Sequence, residues 1–320
     1  MDFLANYFGS LNPMSFLSAL PGNIAQGIIW GLMGLGVFLT FKLLNFADLS
    51  VDGSFATGGA VTAVMLINGC PVWATIIVAI LAGLAAGLVT GLLHTLLGIP
   101  DILAGILTQI ALYSINLNIM GKSNLPISYR NYTLVVSASN INMAILVGLG
   151  ICAIVIAAMY WYFGTEQGST IRSTGSNPAM SKAQGININF TKVIALALSN
   201  GLVALSGSLF AQYQGFADIN MGRGAIVIGL AAVIIGEVLG EAIFRKHMNF
   251  IIMLFVIVGG ILYYIAMGIV LWLKMPTDDT KLFTAIIVAI FLAVPYLQKK
   301  RKTSFKKVAK MNAKNAQKEG

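Results

Sequence analysis

The sequence predicts an all-α fold, a polytopic transmembrane bundle of about nine spans (roughly eight to ten), and three observations carry that expectation. Of 320 residues, 58% are hydrophobic and only 10% are charged, against the roughly 25% charged residues of soluble domains. Too few charges remain to cover a water-facing surface. Apolar runs recur from Ile24 to Leu297 with short polar interruptions, so the length does not divide into soluble domains. The net charge of +9 is also local, because Gln298 to Gly320 holds nine Lys or Arg against one Glu and supplies +8 of it. A basic stretch without aromatics, directly after an apolar span, reads as a cytoplasmic anchor on anionic lipid and not as a nucleic-acid surface.

Residues 1–21 form a short amphipathic or extracytoplasmic segment. Met1 to Ser18 has no Lys or Arg and carries Asp2, so no cleavable signal peptide is expected. The transmembrane domain occupies 22–297, and the basic tail 298–320. A hydrocarbon core of ~30 Å needs roughly 20 helical residues. Spans are placed at about 22–43, 52–68, 71–97, 101–120, 142–163, 190–212, 224–244, 249–273 and 281–297. With the tail inside, counting back puts the N-terminus outside and the loop 164–189 in the cytoplasm. The loops alone decide little: Lys42, Arg172, Lys182, Lys192, Arg245 and Lys246 fall inside, and Lys122, Arg130, Arg223, Lys274 and Lys281 outside.

Within the first half, Asp48 to Thr62 reads DLSVDGSFATGGAVT, where carboxylates, hydroxyls and the adjacent Gly58 and Gly59 interrupt an apolar span. Irregular backbone at membrane depth is tolerated only inside protein or beside water. A discontinuous helix on a translocation route is one reading, an ordinary helix with a long polar start the other. Gly83, Gly87 and Gly91 share one helix face, as do Gly27 and Gly31, and helix packing is their default role. Polar groups inside spans include Asn45, Gln109, Asn116, Asn118, Asn200, Gln212, Glu237 and Glu241. Those expected on a pathway are Asn45, Asp48, Ser54, Thr57, Gly58, Gly59, Asn116 and Asn200. Glu237, Glu241 and Arg245 follow one another at helical spacing as an interfacial charge ladder. His94 and His247 lie near membrane boundaries without acidic neighbours at metal spacing, and Cys70 and Cys152 form no redox or metal pattern. No catalytic or metal constellation is expected.

The loop from Arg172 to Ile186 carries a complete miniature helix signal: Asn177 to cap it, Pro178 for its first position and Gly185 to stop it. Two turns are too short to be stable alone, so the helix must dock. This run, RSTGSNPAMSKAQGI, resembles the coupling-helix region of ABC-importer permeases of the branched-chain amino acid and ribose type, whose usual pattern is Arg-Ala-Thr-Gly-x-Asn-Pro-x-Ala-Ala-x-x-x-Gly-Ile. Ser173 and the pair Met180 and Ser181 depart from it. Leu44-Asn45-Phe46-Ala47 is similar to the amino-acid branch and Asp48-Leu49-Ser50-Val51 to the sugar branch. Ser206 to Leu209 and Gly229 to Gly236 resemble the family's later spans, and the whole is most similar to tryptophan and tyrosine importer permeases.

That resemblance implies a type II importer fold and a coupling role for Arg172, Gly175, Asn177, Pro178, Ala179, Met180, Ala183, Gly185 and Ile186. It implies a homodimer in the bacterial cytoplasmic membrane, served by an extracytoplasmic binding protein, moving a small polar solute such as an amino acid by alternating access. Two separate ATPase subunits would bind ATP and Mg, with no cofactor on this chain. Walker A is absent: Gly121-Lys122-Ser123 has Asn116 where the motif's first glycine belongs. An ion-coupled secondary transporter is the alternative, and it leaves the capped helix unexplained.

Overall fold

The computed structural model describes residues 13–128, 132, 134–244, 249–273, 282–291 and 293. The basic tail lies outside the described residues, as do Arg130, Arg245, Lys246, His247, Lys274 and Lys281.

Helix α1 (Pro13–Val37) runs through Pro21 and ends in a π-helical turn, Phe38–Leu43. Helices α2 (Val51–Ile67), α3 (Val72–Thr95) and α4 (Asp101–Met120) follow, then strand β1 (Asn124–Pro126). Next come α5 (Ile141–Gly164), α6 (Glu166–Ser176), α7 (Pro178–Ala183), α8 (Ile188–Gln214) and strand β2 (Phe216–Asp218). The described chain closes with α9 (Ala225–Phe244), α10 (Asn249–Trp272) and a shorter apolar helix, α11 (Leu282–Phe291). The two strands pair antiparallel, Asn124 opposite Asp218, and mark one end of the bundle; α6 and α7 mark the other.

Helices α1 and α8 form the centre, whereas α4 and α5 leave most of their length uncovered. Composition explains the difference. Lipid tails are as apolar as Leu, so helices associate in membranes through close approach and cross-helix hydrogen bonds. Added Cβ atoms on Gly83 and Gly87 of α3 would collide with the carbonyl oxygens of Asn200 and Leu196 on α8, and one on Gly207 of α8 with that of Phe55 on α2. Hydroxyls add to the contact: Ser199 donates to the Gly36 carbonyl at 2.8 Å and Thr62 to Ser208 at 2.7 Å. The rings of Trp30, Phe55, Phe210 and Tyr264 meet where α1, α2, α8 and α10 converge. Ile115, Leu146 and Ile154 of α4 and α5 instead point outward, as hydrocarbon-facing side chains do.

Among the described residues six helices are long and apolar enough to cross a membrane; α2, α11 and the apolar part of α9 are shorter. All nine lie where the sequence places a span, but a count of nine full crossings does not follow from their lengths. The expected break is also elsewhere. Helix α2 is regular through Gly58 and Gly59, and the irregular backbone is Leu44 to Ser50 just before it, with Asn45 in the left-handed region at φ 55°. The two glycines serve close packing instead, Gly58 against the Ala204 backbone and Gly59 against Met221. A second difference is α6, a helix where the sequence suggested only the start of a loop.

Candidate functional site

The exposed end of the bundle is built by α6 and α7. Asn177 accepts a hydrogen bond from the Met180 amide at 3.1 Å, Pro178 opens α7, and the helix lasts six residues. Its stop is a complete Schellman motif: the Ile186 amide donates to the Ser181 carbonyl at 3.1 Å and the Gly185 amide to Lys182 at 3.0 Å, with Gly185 at φ 82°. Pro178, Ala179, Met180 and Ala183 are exposed, and the Ser181 side chain faces inward. So short a helix gains little stability from its own backbone, and its apolar side chains are left uncovered within this chain. Arg172 and Gly175 make their contacts inward. Arg172 donates to the Phe163 carbonyl at 2.9 Å at the end of α5, and an added Cβ on Gly175 would strike the Leu43 carbonyl. Both seat α6 against the membrane helices.

From that seat the chain turns inward. The π-helical turn ends beside α6, Lys42 pairs with Glu237 of α9, and residues 44–50 climb back between α4 and α8. Asp48 is buried and accepts from the Ser50 amide at 2.9 Å, the Ser50 hydroxyl and the Asn200 side-chain amide at 2.8 Å. Asn200 stands near the midpoint of the 27-residue α8. Twelve residues separate it from Ile188, or ~18 Å of helix. The carboxylate is thus held deep in the bundle by donors on its own loop and on α8, and α2 begins there instead of at the surface.

A matching feature enters from the strand end. After β2 the chain descends through 219–224, and α9 starts beside the first turn of α2: Asp52 accepts from the amides of Gly224 and Ile226, each at 2.9 Å. The carboxylate caps a helix of another segment, satisfying amides that would otherwise be orphaned at depth. Beside this junction lies a cavity of about 290 Å³ lined by Asp52, Gly53 and Ala56 of α2, Gln109, Ile110, Tyr113 and Asn116 of α4, and Ile219, Asn220 and Arg223 of the descending segment. Asn116 is 1% exposed, and neither its Oδ1 nor its Nδ2 has a partner within the chain.

Of the residues expected on a pathway, Asn116 lines the cavity, while Asp48 and Asn200 bond to each other away from it. Ser54 is buried with an unpartnered hydroxyl, Thr57 donates to the Gly53 carbonyl at 2.9 Å, and Asn45 is exposed at the turn. Sequence reasoning met Asp52 only as one of the carboxylates interrupting an apolar span and Arg223 only as an outside-loop charge, and named neither as a pathway residue; their one further signal was a charge next to glycines, in VDG and GRG. Of the expected charge ladder, Glu237 pairs with Lys42, and Arg245 lies outside the described residues. His94 accepts from Lys192 at 2.9 Å, which leaves its proton on Nδ1 to donate to the Ile99 carbonyl at 2.8 Å. Among the described residues no group of three or more His, Cys, Asp or Glu could hold a metal.

Comparison with known proteins shows the family. Residues 22–295 match the family described as branched-chain amino acid transport system / permease component. A tyrosine transport system permease protein of Clostridioides difficile (strain R20291) is 42% identical over 300 residues, covering 93% of this chain and 99% of that protein. An uncharacterized protein of Rickettsia prowazekii (strain Madrid E) is 31% identical over 274 residues, 84% of this chain and 95% of its own. The D-allose transport system permease protein AlsC of Escherichia coli (strain K12) is 27% identical over 234 residues, 72% of this chain and 71% of its own. The chain is a multi-pass ABC-transporter permease and belongs to the branched-chain amino acid permease family.

Proposed function

We propose that this protein is the membrane-spanning subunit of an ATP-driven importer for an amino acid, aromatic ones included, working by alternating access. The carrying observation is α7, a six-residue helix capped at both ends whose apolar face is exposed. Two separate ATPase subunits, which bind ATP and Mg, grip that face through Ala179, Met180 and Ala183; this chain supplies no nucleotide site. Docking transmits force through Gly175 into the turn at Leu43. An extracytoplasmic binding protein delivers the solute at the strand end.

Two copies form the translocator. Ser114 and Asn118 of α4 are exposed on the chain, and hydrocarbon solvates such groups poorly. A second copy facing α4 resolves that mismatch, and homodimerisation makes the cavity side the shared route. The C-terminal tail lies in the cytoplasm and the N-terminus outside, with nine crossings; the short helices α2 and α9 complete theirs through residues 44–50 and 219–224. The amino-acid assignment leans on the tyrosine transport relative.

The test is substrate-stimulated ATP hydrolysis by the reconstituted importer, with and without loaded binding protein. Ala183→Glu places a charge on the docking face, and Gly185→Val penalises the left-handed stop by ~1–2 kcal/mol. Both variants should insert normally and lose the stimulation. Wild-type stimulation in both would remove α7 as the coupling element, and uptake that follows an ion gradient instead of ATP would replace the importer with a secondary transporter.

A further inference from the structure

We infer that the cavity between α2, α4 and the descending segment 219–224 is a solute-binding station for a zwitterion, an α-amino acid, within the membrane domain; this rests on the importer reading above.

Asn116 leads to it. An amide buried in hydrocarbon or protein finds partners, and leaving both atoms unpaired is costly. Asn116 is 1% exposed, its two polar atoms lack partners, and it lines a cavity of about 290 Å³. Small-molecule sites begin near ~300 Å³, so the space suits a metabolite and excludes a peptide. The lining supplies both signs of charge. Arg223 brings a guanidinium with no side-chain ion pair among the described residues, and a guanidinium matches a carboxylate with two parallel hydrogen bonds. Asp52 accepts the Gly224 and Ile226 amides, one on each oxygen at 2.9 Å, with the Ala225 amide also against it, and the roughly four lone-pair sites of a carboxylate leave room for an ammonium. A neutral sugar or nucleoside can hydrogen-bond these groups but neutralises neither charge. Gly53 and Ala56, with little side chain to fill it, leave the floor open, and the Tyr113 ring, 47% exposed, stands at the rim where a side chain would rest. Asn116, able to donate and accept at once, bridges the two charged ends.

The experiment reads binding on the permease itself, without the binding protein. In the permease and ATPase complex, Cys70→Ser removes the partly exposed native thiol, and Ala56→Cys puts a reporter on the cavity floor; Tyr113→Cys at the rim is the second reporter if the first disturbs assembly. Thiol labelling is followed with L-tyrosine, with tyramine, which lacks the carboxylate, and with 3-(4-hydroxyphenyl)propionate, which lacks the ammonium. L-Tyrosine should slow labelling at concentrations about tenfold lower than either analogue. Arg223→Gln should bring tyrosine and tyramine to equal, weak protection, and Arg223→Lys should restore part of the difference. A purely structural Arg223 would lower all protection alike. Equal protection by tyrosine and tyramine in the parent, protection by ribose or uridine only, or none while the complete importer still shows ATP-driven tyrosine uptake, would each overturn the assignment. Absence of ATP-driven uptake would instead overturn the importer reading.

Discussion

The segment around α7 and the cavity beneath the strand end are built by opposite means. In α7 every determinant is local: Asn177 caps the Met180 amide three residues on, and Gly185 and Ile186 close the helix on Lys182 and Ser181. The cavity is assembled from residues far apart in the chain, with Asp52 holding the amides of Gly224 and Ile226. The first can be read along the chain and removed one residue at a time. The second depends on how closely α2, α4 and α8 approach, so changes at its foundations propagate through the bundle.

The largest effect should come where that approach is tightest. Gly58→Leu forces α2 away from the Ala204 backbone, an overpacking that costs at least ~3 kcal/mol. Loss of monodisperse protein in size-exclusion chromatography is expected together with loss of uptake; normal behaviour of both would mean that the α2 and α8 contact is not the foundation of the cavity. Asp48→Ala comes next. It strips acceptors from the Ser50 amide and from Asn200 in a buried place, at ~1–3 kcal/mol. Thermal unfolding in detergent should drop while α7 still supports ATPase binding. Asn177→Ala removes only the cap of α7, at ~1 kcal/mol, so ATPase affinity should fall with the melting temperature unchanged. A fall in melting temperature would break the separation between the two regions. Lys42→Gln should matter least, since the pair with Glu237 is partly solvent-exposed and such pairs contribute ~0–1 kcal/mol; a melting shift too small to resolve is expected.

How much of this was legible follows the same division. Spans were visible because hydropathy is additive along a helix, and all nine apolar helices lie at the expected places. The Asn177, Pro178 and Gly185 signal was visible because capping is decided within one turn. The break at Leu44 to Ser50 was misplaced by several residues, since polar residues within α2 such as Ser54 and Thr57 are compatible with a regular helix once a neighbouring helix covers them. That Asp52 and Arg223 line one cavity escaped notice because the fold alone brings their segments together, and nothing near either residue in the chain announces the other.

The π-helical turn at Phe38–Leu43 gives the end of α1 a mechanical character of its own. Such a turn contains an extra residue relative to α-helical winding, an azimuthal offset of ~100° at 3.6 residues per turn. Its last residues touch two elements at once, Lys42 on Glu237 and Leu43 beside Gly175. Rewinding the turn into ordinary α-helix would rotate both contacts out of alignment together, so the offset is what lets one short turn face α6 and α9 at once.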